Sequence, residues 1–253
     1  MLGLATAGFA AYEIVEAPTN PVFGAAVTKG PPTQRVVALT FDDGPNPPYT
    51  TQILRVLEQE HVHATFFLVG RAAAAYPWVV RREVADGDAI GNHSWEHAHL
   101  IVLTPSQLRT SIQRTDRVLR RITGRHTSLM RPPFGARDWL VMQTMKKMGY
   151  TVVLWNVPLA RDWEYPPPRV IVQRVLSRVS DGSIMVLHDG NEGRSCGKGK
   201  YAYPPHVCDR SQDVVATRVI VQTLKHEGYR FVTIPELIAM GKPVTHKRVR
   251  ATR

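Results

Sequence analysis

Apolar and polar positions alternate in blocks along the 253-residue chain. Val36 to Phe41 is an unbroken run of apolar and β-branched residues, which predicts a short buried strand. It stops at Asp42-Asp43, and Gly44-Pro45 then forces a turn. Thr50 or Thr51 can cap a helix that runs to about His61, with Ile53, Leu54 and Leu57 inward. Ala64 to Val69 is a second buried strand. Ala72 to Asp86 is helical with a break near Pro77, and Gly87 stops it. Ala89-Ile90 begins a short strand ending near His93. Thr104-Pro105 opens a helix with threonine at the N-cap and proline in the first turn. Leu108, Ile112, Leu119 and Ile122 give that helix an apolar stripe, and Gly124 ends it.

The alternation then repeats. Ser128 to Arg131, Thr151 to Trp155, Ser183 to Leu187 and Arg230 to Val232 read as strands. Ala136 to Met148, Pro168 to Val179, Ser211 to Glu227 and Pro235 to Met240 read as helices. About seven strands alternating with helices predict an α/β fold with a parallel sheet. A distorted, incomplete (β/α) barrel fits the count, and a doubly wound sheet is the alternative. Residues 1–34, rich in proline, read as a leader or surface strap, residues 35–240 as the catalytic domain and 241–253 as a basic tail.

The polar clusters sit where these strands end. Asp42-Asp43, His93, Arg131, Asp162 and His188 each follow a strand or lie in the loop after it. In a parallel barrel all such ends meet on one face, where active sites form. Two adjacent carboxylates at the end of a core strand need a positive partner, a metal or an arginine; the plain alternative is an Asp-Gly turn with a solvated neighbour. His93-Ser94-Trp95-Glu96-His97 places two histidines four apart, able to share one face of a helical turn and grip one metal. With Asp43 they would form an open three-ligand site, suited to zinc or another borderline divalent ion. Asp42 would then act as base, with Arg131 as its counter-charge. His188 is either a core histidine or a general acid, with Asp162 or Asp189 as partner. Trp163 and Trp139 are either pocket walls or core. The same string also fits H-x-x-E-H, which would make Glu96 the base of a metallopeptidase.

Charge narrows the partners. The formal net charge is +11 and the pI is about 10.0. Part of the excess lies on Arg109, Arg114, Arg117, Arg120, Arg121 and Arg125. Such charge favours anionic polymers or is a generally basic solvated surface. Nothing in the sequence has zinc-finger spacing or a base-stacking basic sheet, so no specific nucleic acid is expected. No stretch has the length of a transmembrane helix. The apolar start, Met1 to Ala11, is compatible with a trimmed signal or anchor remnant. Cys196 and Cys208 share one loop, and a disulfide between them would imply an oxidising compartment; two free thiols, or a second metal with His206, are the alternatives.

Over residues 35–240 the sequence resembles the polysaccharide deacetylases of the NodB-homology family, carbohydrate esterase family 4. Five motifs carry the resemblance in order: Thr40 to Pro45, His93 to His97, Arg131 to Gly135, Asp162-Trp163 and Leu187-His188. It implies a distorted (β/α) barrel and metal-dependent removal of N-acetyl or O-acetyl groups from a carbohydrate. Carried over, Asp42 is the base, and Asp43, His93 and His97 hold Zn2+, or Co2+, Ni2+ or Mn2+. Arg131 tunes the base, Asp162 tunes the acid His188, and the backbone N–H at Phe134 is the oxyanion donor. Peptidoglycan or a chitin-like polymer is the expected substrate and acetyl-xylan the alternative. An anionic cell-wall polymer is the expected further partner, and a secreted or envelope-associated monomer the expected state. A non-catalytic wall-binding module is the remaining class. Phe134 stands where many members have tyrosine, and Asn156, Pro158 and Leu159 stand where acids are common. One substitution separates the two metal chemistries: Glu96→Gln should leave acetate release within about twofold, whereas a peptidase using Glu96 as base should lose about 100-fold or more.

Overall fold

Seven strands form one sheet in which every pairing is parallel. They are β1 (Val36–Asp42), β2 (Thr65–Leu68), β3 (Ala89–Asn92), β4 (Leu129–Met130), β5 (Thr151–Val152), β6 (Ser183–His188) and β7 (Arg230–Phe231). Their spatial order is β5-β4-β3-β2-β1-β6, with β7 joining β1 at its first residues. The computed structural model describes residues 16–157, 160–192 and 208–241. Within them lie the helices α1 (Tyr49–Glu60), α2 (Gly70–Ala75), α3 (Pro77–Ala85), α4 (Pro105–Thr123), α5 (Trp139–Lys147), α6 (Pro168–Leu176), α7 (Ser211–His226) and α8 (Ile234–Ala239). The sheet curls into a distorted, incomplete (β/α) barrel, as the alternation predicts.

The period of two along β1 separates two packing layers. Val37, Leu39 and Phe41 pack with Ile53, Leu54 and Leu57 of α1 and with Ile220, Val221 and Leu224 of α7. Val36 and Ala38 face the other layer, with Phe67, Met130, Val152, Ile184 and Val186. Thr40 and Asp42 fall on that second face by the same alternation. All seven residues of β1 are buried, so the polar pair has been carried into the interior.

Local chemistry explains most element ends. Thr104 and Gln107 form a complete capping box on α4, and Gly124 closes it in the left-handed conformation. The segment 72–86 is two helices, with Pro77 at the start of α3. Three expectations need correction. Neither Thr50 nor Thr51 caps α1; Pro48 holds that position without a side-chain bond. Thr50 Oγ1 instead accepts from Asn46 N–H at 2.7 Å and donates to the buried Asp189 carboxylate. The helix expected from Ala136 starts at Trp139, behind an Asp138 cap, because Phe134 takes a left-handed φ of 61° just before it. Residues 93–97 are a loop and not a helical turn: Ser94 and His97 have φ of 67° and 56°. Residues 1–15 of the expected leader 1–34 and 242–253 of the expected tail 241–253 lie outside the described residues.

Close approach rather than a turn fixes Gly190, just past β6. A Cβ there would lie 2.1 Å from the backbone carbon and oxygen of Asp43 and 2.4 Å from Gly44 N. Gly190→Ala should cost about 1–3 kcal/mol as overpacking, about 2–4 °C in Tm per kcal/mol. It should also move Asp43; thermal unfolding and divalent-ion affinity should fall together.

Candidate active site

Register brings the predicted base beside the predicted acid. Asp42 pairs with His188 across β1 and β6. Asp42 Oδ1 receives Arg131 Nη1 at 2.7 Å, and the same nitrogen donates to Thr40 Oγ1 at 2.8 Å. Thr40 and Asp42 are two apart on a strand, so one guanidinium meets both. Arg131 is fully buried and spends its other donors on the carbonyls of Val153 and Leu154. Its guanidinium lies over Phe67 at 4.1 Å. Burial lowers its pKa, Asp42 opposes that, and a guanidinium stays charged.

Asp43 points the other way, because its φ of 74° breaks the strand geometry. Its Oδ1 lies 3.3 Å from His93 Nε2 and 3.1 Å from His97 Nε2. The Nδ1 of His93 is 2.7 Å from the Arg131 carbonyl. A carbonyl only accepts, so Nδ1 carries the hydrogen and Nε2 presents its lone pair to Asp43. The loop that delivers His97 is anchored by Asn92, whose Oδ1 accepts from Ser94 N–H at 2.9 Å. Ser94 Oγ in turn accepts from His97 N–H at 3.2 Å. The first N–H groups of α2, on Gly70 and Arg71, donate to the Ser94 and Trp95 carbonyls. Asn92 and Ser94 were not singled out from the sequence; their place beside the histidines is the signal that could have found them.

Charge and geometry both fit a cation. Burial pushes Asp43 up, yet His97, His93 and His188 together hold it well below the usual carboxylate range. Burial pushes His97 down to about 4, so its ring is neutral at neutral pH, as a metal ligand must be. Asp43 Oδ1 is buried with no hydrogen-bond partner. One ligand atom from each of Asp43, His93 and His97 lies within 4.8 Å of the others, all three residues buried. A divalent ion fits this donor set.

The second titratable pair closes the site. His188 Nδ1 lies 3.0 Å from both oxygens of Asp162, and His188 N–H donates to Asp162 Oδ2 at 2.7 Å. Asp189, the competing partner, is engaged by Thr50 instead. Burial would push His188 down, but Asp162, helped by Asp43 and Asp42, raises it to about 9. Asp162 in turn touches Asp213 on α7, which no pattern in the sequence linked to it.

The cleft over these groups has a volume of about 400 Å³. Phe134 and Trp163 line it, as expected. Phe134 stacks on His99 at 3.8 Å and meets His97 edge-on at 4.5 Å. Its left-handed backbone costs on the order of 1–3 kcal/mol. Trp163 stands edge-on to His188 at 5.4 Å. Trp139 does not line the cleft: it begins α5, is 54% exposed and lies beside Gly24. Glu96 is exposed and lies outside the cleft, which leaves the peptidase chemistry without its base. Glu16, Tyr165, Glu192 and Arg210 also line the cleft; they come from separate loops and carried no motif. Cys208 is disulfide-bonded, while Cys196, Pro158 and Leu159 lie outside the described residues.

A parallel barrel with a two-histidine, one-carboxylate centre, an arginine-held second carboxylate and a histidine–aspartate pair defines a metal-dependent hydrolase. A polysaccharide deacetylase family profile matches residues 29–153. The chain is 35% identical over 209 residues to a peptidoglycan-N-acetylglucosamine deacetylase of Bacillus cereus, covering 82% of this chain and 90% of that protein. It is 36% identical over 210 residues to a chitooligosaccharide deacetylase of Bradyrhizobium, covering 80% and 90%. The crystal structure of the Bc1960 peptidoglycan N-acetylglucosamine deacetylase superposes with a TM-score of 0.73 at 31% identity, over 83% of this chain and 91% of that one. The chain belongs to the polysaccharide deacetylase family.

A raised histidine pKa stabilises the fold below the unfolded value and loses that stabilisation as pH rises through the folded one. For His188 the window runs from about 6.5 to about 9. In metal-free protein, Tm should fall across that window. Asp162→Asn should flatten the fall, read by thermal unfolding at a series of pH values.

Proposed function

We propose that this protein removes acetyl groups from N-acetylglucosamine residues of peptidoglycan or a chitin-like polymer, in an extracytoplasmic setting. The observation that carries it is the convergence, in one cleft, of Asp43, His93 and His97 with Arg131-held Asp42 and Asp162-held His188. Zinc is the proposed ion, because neutral imidazoles and one carboxylate suit a borderline metal; cobalt, nickel and manganese are the alternatives. Bound there, it would polarise an acetyl carbonyl and lower the pKa of a water.

The chain's own groups do the rest. Asp42 takes the proton of the attacking water, with Arg131 fixing its other oxygen and supplying the counter-charge. In this reading the Phe134 N–H, which has no backbone acceptor among the described residues, donates to the developing oxyanion. His188, kept protonated by Asp162, gives a proton to the departing amine. The same groups would serve an O-acetyl ester, so acetyl-xylan is the second substrate to test. The disulfide at Cys208 supports an oxidising compartment.

The anionic partner has a location in this reading. Arg109, Arg114, Arg117, Arg120 and Arg121 are exposed on α4, with Arg125 just beyond it. At 100° per residue the five span about 140°, opposite the buried stripe of Leu108, Ile112, Thr115 and Leu119. The acid on this helix, Asp116, is taken by His126. An extended anionic wall polymer fits such a face.

Acetate release from N-acetylglucosamine oligomers, peptidoglycan and acetyl-xylan, after chelation and after metal is restored, tests the activity. Asp42→Asn should lower it about 100-fold or more while metal affinity is kept. Retained turnover in that variant would remove Asp42 from its role. Reversing Arg117, Arg120 and Arg121 to glutamate should weaken retention on an anionic polymer and flatten its salt dependence, with small-oligomer turnover unchanged.

A further inference from the structure

No strand ladder joins the edge strands β5 and β6; Asn156 and Val157, just past β5, reach the Ile184 carbonyl of β6 at 3.4 Å. Residues 27–30 run along that seam. Val27 N–H donates to the Val152 carbonyl at 2.8 Å, and Leu154 N–H donates to the Val27 carbonyl at 2.8 Å. Three residues on, Gly30 N–H donates to the Gly182 carbonyl at 2.8 Å, and Lys29 bridges to Ser183 at the start of β6. The strap thus bonds beside both edge strands. Its other end reaches the cleft, where Glu16 forms part of the wall.

One side chain ties that end to the reacting groups. Arg137, like Arg131, has no solvent-exposed surface. Arg131 has a carboxylate; among the described residues Arg137 meets carbonyls only. Its Nη2 donates to Asn20 at 2.7 Å, Ala17 at 2.8 Å and Pro18 at 3.4 Å, and its Nη1 donates to Gly135 at 3.1 Å. Burial pushes its pKa down only to about 10, so the guanidinium is charged at neutral pH. A buried cation without a counter-ion is costly, and it persists where several dipoles are held on it at once. Here three dipoles come from the strap and the fourth from the residue after Phe134. The contact is tight on both sides: a Cβ on Gly135 would lie 3.0 Å from Trp155 Cη2 and 3.4 Å from the Glu16 carbonyl. Phe134 itself is left-handed, at φ 61°, and must be held there by its surroundings.

We propose that the strap 16–24 is a working part of the active site, and that Arg137 is the positioning residue that locks the Phe134 turn to it. Arg137 touches no reacting atom. It acts through the Gly135 carbonyl, which lies two peptide units beyond the one that carries the Phe134 N–H and so pins the far side of the left-handed turn. The proposal rests on the deacetylase reading for the role of that N–H, while the mechanical coupling stands on the geometry alone.

The test uses the full chain with Arg137→Met and Arg137→Lys. Amide hydrogen exchange is read at 17–24 and at 134–136, and kcat and KM are read on an aryl acetate and on an N-acetylglucosamine oligomer. Loss of the clamp should speed exchange in both segments together by about tenfold or more. It should lower kcat by about 10- to 100-fold on both substrates with KM within about twofold, because a misplaced donor acts in the transition state. Added guanidinium ion should recover part of kcat in the methionine variant. The lysine variant, with one donor point, should fall between. Faster exchange at 17–24 with 134–136 unchanged would overturn the coupling, whether or not the wild type deacetylates. A rise in KM on the oligomer alone would overturn the positioning role and leave the strap a substrate wall. Absence of acetate release by the metal-loaded wild type would count against the deacetylase reading, and the exchange result would still decide the coupling. If the methionine variant does not fold, the lysine variant carries the same comparisons.

Discussion

Two carboxylates side by side at the end of a fully buried strand cannot stand without positive charge, and the site is built around how that charge is supplied. Asp42 is met from across the barrel by a buried arginine, and Asp43 sits with two imidazoles in a donor set that a divalent cation fits. Neighbouring residues can face two different partners because Asp43 leaves the strand conformation, at φ 74°. Arg131 joins the two halves. Its guanidinium holds Asp42 and its backbone carbonyl holds the Nδ1 hydrogen of His93, so it fixes both the Asp42 carboxylate and the His93 tautomer.

That arrangement depends on packing that does no chemistry. Arg131 keeps its place because Thr40, Val153 and Leu154 accept its remaining hydrogens and Phe67 lies under its plane. Those carbonyls belong to the segment beyond β5 that pairs with Val27 of the strap. The seam between β5 and β6 therefore lies next to the residues that hold Arg131. On the other side of β1, the register sets His188 one strand away from Asp42, with Asp162 and then Asp213 behind it. Opposite environments for two titratable groups divide the work: His188 is raised to about 9, and His97 is lowered to about 4.

Much of this was legible in residue order, and the misreadings have physical causes. The histidine pair was visible by its spacing of four, but the spacing belongs to a loop: Ser94 and His97 are left-handed, and Asn92 and Ser94 hold them by side-chain bonds. Thr50 looked like a helix cap because a threonine near a helix start usually is one; a buried carboxylate 139 residues away claimed it instead. Trp139 looked like a pocket wall by composition, and its position at the exposed start of α5 is set by the Asp138 cap.

The sequence alone determined the alternation of strands and helices, the polar residues at strand ends and the identity of the metal-type triad. These are local properties: apolar period, turn chemistry and the residue types a cation needs. Only the tertiary structure decided that Thr50 engages Asp189, that Glu96 stays outside the cleft, and that Arg137 binds the strap to the Phe134 turn. Each of those choices is made by a contact between segments far apart in the chain. Which buried polar group meets which partner depends on how strands register and which edges remain open, and neither is written in any local stretch of residues.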